Sequence, residues 1–132
     1  MTTITIPGKP FAKQRARFSR RQGRAFTPAK TVAFENLVQA IGLENFSEPL
    51  EGPVKIAVLA IFEPPPSWSK KKQAEHIGKP HTQTPDFDNI QKAVCDGLNR
   101  VAFADDRQIA SASCQKFWGL KAQTIVAVEV LQ

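Results

Sequence analysis

Acidic residues are missing from the first thirty positions, and aspartate is missing from the first eighty-five. Cysteine is scarce: Cys95 and Cys114 stand alone, with no CxxC spacing, so no disulfide staple is expected and both are read as reduced thiols. No apolar run approaches the ~20 residues of a membrane span. The opening Met-Thr-Thr-Ile-Thr-Ile-Pro lacks a basic region followed by an apolar one, so secretion is not expected and the cytoplasm is the expected compartment. What remains is an ordinary globular composition, 42% hydrophobic and 23% charged over 132 residues. One domain fits that length and buries roughly two thirds of its unfolded surface.

The charges that are present are sorted. Eighteen Lys and Arg against twelve Asp and Glu leave +6, which permits a polyanionic partner without requiring one. Lys9, Lys13, Arg15, Arg17, Arg20, Arg21, Arg24 and Lys30 crowd the acid-free start. Phe11, Phe18 and Phe26 interleave with them, between turn residues Gly8, Pro10, Gly23 and Pro28. That composition reads as a basic flap for phosphates, against the plainer reading of a solvated arm. Lys70, Lys71, Lys72 and Lys79 form a second cluster around Trp68 and His76. All five aspartates fall between Asp86 and Asp106, an acidic focus inside a basic chain.

Periodicity places these features. Residues 2–6 alternate as an edge strand. Thr27-Pro28 reads as a helix start, with Ala33, Phe34, Leu37, Val38 and Ile41 as the buried stripe and Gly42 as the stop. Residues 54–62 read as a central strand, 69–75 as a short helix inside a long proline-bounded loop, and 108–118 and 123–131 as two closing strands. Asp88 and Gln91 have capping-box spacing, which predicts a helix from Asp88 to about Asn99 buried through Ile90, Val94 and Leu98, with Phe87 pointing into the core. The fold class is α/β (α+β): one compact domain, a mixed β-sheet with helices mainly on one face, and a basic N-terminal flap.

After Pro85 the chain is expected to be extended, so the carboxylates of Asp86 and Asp88 share a side. Lys92 follows one turn later, and Asp105-Asp106 arrive before a strand. Two carboxylates about 5 Å apart repel by roughly 3 kcal/mol at an effective dielectric near 20. Their convergence therefore asks for a cation, and oxygen ligands without His or Cys suit Mg²⁺ or Mn²⁺. The plainer readings are a helix cap at Asp88 and a turn at Asp105-Asp106. A calcium EF-hand is excluded, because Ile90 and Gln91 stand where an oxygen ligand and a glycine are required.

Three segments in order, Asp86-Phe87-Asp88-Asn89-Ile90-Gln91-Lys92, Asp96-Gly97-Leu98-Asn99 and Asp105-Asp106-Arg107-Gln108-Ile109, resemble the RusA family of Holliday-junction resolvases. Gly8-Lys9-Pro10, Lys13-Gln14-Arg15-Ala16-Arg17 and Pro65-Pro66-Ser67-Trp68-Ser69-Lys70 extend the likeness over nearly the whole chain. It departs at Gly97, where alanine is usual, and at Arg100, where glycine is common. The resemblance implies a homodimer, encoded by a phage or prophage, that cuts four-way DNA junctions with Mg²⁺, leaves 5′-phosphate ends and takes no small-molecule cofactor.

By that resemblance Asp86, Asp88 and Asp106 are the catalytic metal ligands, Lys92 is the essential helix lysine, and Asp105 is a further candidate ligand. DNA contacts are expected from Lys9, Lys13, Arg15, Arg17, Arg20, Arg21, Arg24, Lys70, Lys71 and Lys72. Phe11, Phe18, Phe26 and Trp68 either wedge into an opened junction or pack in the fold. His76 and His81 either shuttle a proton or contact phosphate and solvent. The rival functions are a non-catalytic nucleic-acid-binding module and a DxD glycosyltransferase. The second lacks room for a nucleotide domain and leaves the basic arm unexplained.

Overall fold

β1 (Thr2–Pro7) buries Ile4 and Ile6 and leaves Thr3 and Thr5 exposed, the alternation of a strand with one covered face. The computed structural model describes residues 1–14 and 17–132, so Arg15 and the Arg17 side chain, both expected at DNA, lie outside the described residues. β1 pairs antiparallel with β6 (Gln123–Val130), β6 with β4 (Val54–Phe62), and β4 in parallel with β5 (Ile109–Trp118). The order β1-β6-β4-β5 is the expected mixed sheet, with β4 inside it. A parallel pair cannot be joined by a hairpin. The long crossover from β4 to β5 carries α2 (Lys70–His76), α3 (Phe87–Leu98) and a 3₁₀ turn (Asp106–Gln108). Every residue of the acidic focus rides on it.

The covered face of the sheet supplies Val54, Ile56, Val58, Ala60, Phe62, Val126 and Val128 to the core. α3 meets it through Ile90, Ala93, Val94 and Leu98, none of them exposed. Ile90, Val94 and Leu98 each contribute ~1.5–3 kcal/mol of burial. α3 begins one residue before the expected Asp88, at Phe87, and Asp86 is its N-cap. Phe87 is 58% exposed rather than in the core: it lines a cleft beside Asp88 and Gln91, while Ile90 of the same turn takes the buried position.

α1 (Ala29–Asn45) also departs from expectation. It buries Thr31, Val38 and Gly42, while Ala33 and Leu37 face outward. Gly42 does not end the helix. It lies where a Cβ would stand 2.8 Å from Val101 Cγ1, and a Cβ on Gly97 would stand 2.7 Å from Val38 Cβ. The two glycines let α1 and α3 cross closely, and α1 meets the core through Val38, with Phe34 and Ile41 of the expected stripe partly buried against it. Arg100, just past α3, has φ +70°, a left-handed conformation that favours glycine and strains a side chain with a Cβ.

The N-terminal segment docks as far as Gln14. Phe11 stacks on Phe34 with centroids 4.9 Å apart, and the Lys13 N–H donates to the Asn89 carbonyl at 2.9 Å. A hairpin not anticipated from the sequence follows, β2 (Arg17–Ser19) with β3 (Arg24–Phe26). It leaves Phe18 and Phe26 66% and 44% exposed. No helix among the described residues is long and apolar enough to cross a membrane.

Replacing Gly97 with alanine should destabilise the protein by about 1–3 kcal/mol through overpacking. Adding Val38→Ala should recover part of that loss, seen as a non-additive double-mutant cycle in chemical denaturation.

Candidate functional site

An open cleft of about 220 Å³ lies beside the first half of α3, lined by Phe87, Asp88, Gln91, Lys92, Cys95, Asp106 and Ile109. The helix supplies five of these because 87, 88, 91, 92 and 95 share one face, while 90, 93, 94 and 97 turn to the core. Asp106 and Ile109 come from the 3₁₀ turn and the start of β5. Asp88, Lys92 and Asp106 therefore meet from two elements.

Asp86 is not among the lining residues. The shared side expected for 86 and 88 requires extended backbone, but the helix has started by 87 and each residue adds about 100° of rotation. Asp86 is exposed, and its side chain makes no capping bond to the helix. Asp88 Oδ1 accepts, among the described residues, from the adjacent Asn89 N–H alone, at 3.0 Å. Among the described residues no group of three or more His, Cys, Asp or Glu side chains is gathered as for a metal ion. The donor chemistry of the three aspartates nonetheless fits a hard divalent cation: all oxygen, solvent-facing, and largely unclaimed among the described residues.

Lys92 is the charge at the centre. Its Nζ lies 3.1 Å from Asp96 Oδ1 and 3.7 Å from Asp106 Oδ2. Its pKa is raised, chiefly by the hydrogen bond to Asp96, with burial opposing and the charges of Asp96 and Asp106 adding, so it stays an ammonium. Asp96 also holds Lys13, which reaches Glu35 at 3.2 Å as well. Lys13, expected at phosphate, is thus an ion that ties the N-terminal segment to α1 and α3. Asp96 had no assigned role in the sequence, although its i,i+4 spacing from Lys92 was a usable signal.

Asp105 caps the 3₁₀ turn through one carboxylate oxygen. Its Oδ1 accepts from the Arg107 N–H at 2.9 Å, which is the main cause of its lowered pKa. Gln108 completes a capping box by accepting from the N–H groups of Asp105 (3.1 Å) and Ala104 (2.9 Å). Its amide donates to the carbonyls of Leu50 and Gly52, both at 3.0 Å. The capping box expected at Asp88–Gln91 stands instead at Asp105–Gln108, with the same spacing, and it fastens the turn that presents Asp106.

The remaining cations expected at DNA, Lys9, Arg20, Arg21, Arg24, Lys70, Lys71 and Lys72, are exposed. Lys72 Nζ sits 4.2 Å over the Trp68 ring. Trp68 packs at 5.1 Å from Trp118 and 4.5 Å from His76, so it and Phe11 are fold contacts, while Phe18 and Phe26 stay available to a ligand. His81 is buried, stacked 3.9 Å from Phe62 and tilted against Trp118 at 4.4 Å. Burial first, then the charges of Lys116 and Lys9, lower its pKa. His81 packs among these rings instead of facing solvent.

Residues 7–129 match the family model described as Endodeoxyribonuclease RusA. The chain belongs to the RusA family. It is also 32% identical over 133 residues to "Uncharacterized protein YqaN" of Bacillus subtilis (strain 168), across 95% of this chain and 93% of that one. In this RusA-family chain the three aspartate segments lie inside the matched region.

The depressed His81 pKa means that the unfolded chain takes up a proton more readily than the folded one. Stability should therefore fall as pH drops below the ordinary imidazole value of 6.5 towards the folded pKa. His81→Phe, which keeps a ring against Phe62, should flatten that part of the melting-temperature profile.

Proposed function

We propose that this RusA-family chain is a Mg²⁺-dependent endodeoxyribonuclease that resolves four-way DNA junctions and leaves 5′-phosphate ends, with Mn²⁺ able to replace Mg²⁺. The observation that carries the reading is the meeting of Asp88, Lys92 and Asp106 in one solvent-open cleft, from α3 and from the turn before β5. Asp86, Asp88 and Asp106 would hold the ion. When bound, a divalent cation supplies Lewis-acid polarisation of a phosphoryl oxygen and offsets the carboxylate charge.

The other work belongs to the chain. Lys92, held as an ammonium between Asp96 and Asp106, donates hydrogen bonds to the phosphate where negative charge grows. Asp105 and Gln108 keep the Asp106 turn in place before substrate arrives. The exposed Lys9, Arg20, Arg21, Arg24, Lys70, Lys71 and Lys72, with Arg15 and Arg17 of the same basic segment, neutralise phosphates beyond the cut.

The reading includes a homodimer, as a substrate of near two-fold symmetry asks. The second copy is assigned to the uncovered sheet face. There Ala57, Leu59 and Ile61 of β4 are in register with Ala127, Ile125 and Gln123 of β6, and with Ser113, Gln115 and Phe117 of β5. Leu59, Ile61 and Ile125 are only partly exposed, and the centre of the face carries no charge. Leu59→Arg should shift the protein from dimer to monomer in sedimentation velocity while the fold, read by circular dichroism, is kept.

The deciding experiment incubates labelled four-way, forked and linear DNA with the wild type and with Asp88→Asn, with and without Mg²⁺. Wild type should cut the four-way junction only with Mg²⁺. Loss of an outer partner of a metal already lowers activity about 10–100-fold, so Asp88→Asn should lose on the order of 100-fold or more while still binding the junction. Junction binding without cleavage by the wild type would mean a non-catalytic binding module instead.

A further inference from the structure

Along β5 the positions that share the core-side register are Cys114, Lys116 and Trp118, opposite Val58, Ala60 and Phe62 of β4. A lysine between two residues that pack is out of pattern for such a face. Its ammonium donates to the carbonyl oxygens of Gln83 at 2.5 Å and Pro85 at 2.6 Å. Its own carbonyl accepts from the His81 N–H at 2.9 Å. Lys116 thus grips both ends of residues 81–85, the stretch that delivers Asp86.

Asp86 depends on that delivery. It occupies the N-cap of α3 with extended backbone, φ −74° and ψ 148°, and its carboxylate makes no bond to the helix. No capping bond sets its direction, so the path of the incoming chain must. That path is pinned by charge-assisted bonds to Pro85 and Gln83, roughly twice as strong as neutral ones. Among the described residues Lys116 has no carboxylate partner that would explain its place otherwise. A lysine suits the task because its compact ammonium offers three rotatable donors to carbonyls two residues apart, where the planar fork of arginine would not.

We propose that Lys116 is a positioning residue for Asp86, fixing the 83–85 backbone so that this carboxylate can join Asp88 and Asp106 around a divalent cation. The proposal rests on the nuclease reading above. It makes a prediction opposite in sign to simple electrostatics. Removing a positive charge near a cation site by itself favours the cation, so weaker binding after neutralisation marks lost geometry.

The test is Mn²⁺ binding by calorimetry to wild type, Lys116→Met, Lys116→Gln and Lys116→Arg, with four-way-junction binding in EDTA and melting temperature measured alongside. Lys116→Met should bind Mn²⁺ about 10–100-fold more weakly. Lys116→Gln and Lys116→Arg should fall between it and wild type, and they carry the test if the methionine variant does not fold. Junction affinity in EDTA should stay within about twofold, since phosphate neutralisation rests on other cations. Unchanged or tighter Mn²⁺ binding by the folded Lys116 variants overturns the positioning role alone. A wild type that neither binds Mn²⁺ nor cuts junctions overturns the nuclease reading, and this proposal with it.

Discussion

The seating of α3 on the sheet is the constraint from which the site follows. Ile90, Ala93, Val94 and Leu98 are removed from solvent on one side of the helix, and that leaves a single rotation available to it. With the apolar side fixed, Asp88 and Lys92 have to face the opening beside β5, where Asp106 arrives. Gly97 lets α1 close over the back of the helix at a distance no larger residue permits. A helix rotated by one residue, about 100°, would bury a carboxylate and expose valine.

Two fastenings then bring the flanking chain to α3. On one side, the Asp105–Gln108 capping box and the reach of Gln108 to Leu50 and Gly52 hold the turn that carries Asp106. On the other, the edge of β5 holds the loop before Asp86, through the His81 N–H to the Lys116 carbonyl and the Lys116 ammonium to Gln83 and Pro85. Asp96 adds a third link by pairing with Lys13 and Lys92 together, which couples the docked N-terminal segment to the cleft lysine. Much of the polar apparatus around the acidic focus thus acts by placing carboxylates rather than by touching substrate.

Much of this was legible before folding was considered. Alternation in 2–6 and the apolar run 54–62 mark strands in any context, because a half-covered pleat and a central strand leave those patterns. Ile90, Val94 and Leu98 mark the buried side of α3 just as directly. The start of that helix was misread because aspartate stands at both 86 and 88, and either can cap; the choice fell to the packing that turned Ile90 inward. The burial of α1 was misread in part. Phe34, Val38 and Ile41 of its apolar stripe pack on the core, while Ala33 and Leu37 face solvent. Phe87, between two aspartates of a segment expected to be extended, reads as core-facing, but the helix that starts there turns it to the cleft with Asp88 and Gln91.

The residue order by itself determined the kinds of element, the sorting of charge into a basic start and an acidic focus, the oxygen-only chemistry of that focus and, through spaced motifs, the family. Those properties depend on composition and on neighbours a few positions apart, which a linear string records in full. Only the tertiary structure decided that Asp106 joins Asp88 while Asp86 stands at the N-cap outside that cleft, that Lys13 ties the N-terminal segment to two helices, and that Lys116 reaches the loop ahead of Asp86. Each depends on the rotation of a helix against a sheet, or on two segments some thirty residues apart lying side by side. Such relations are set by the burial of the whole apolar surface at once rather than by any local pattern.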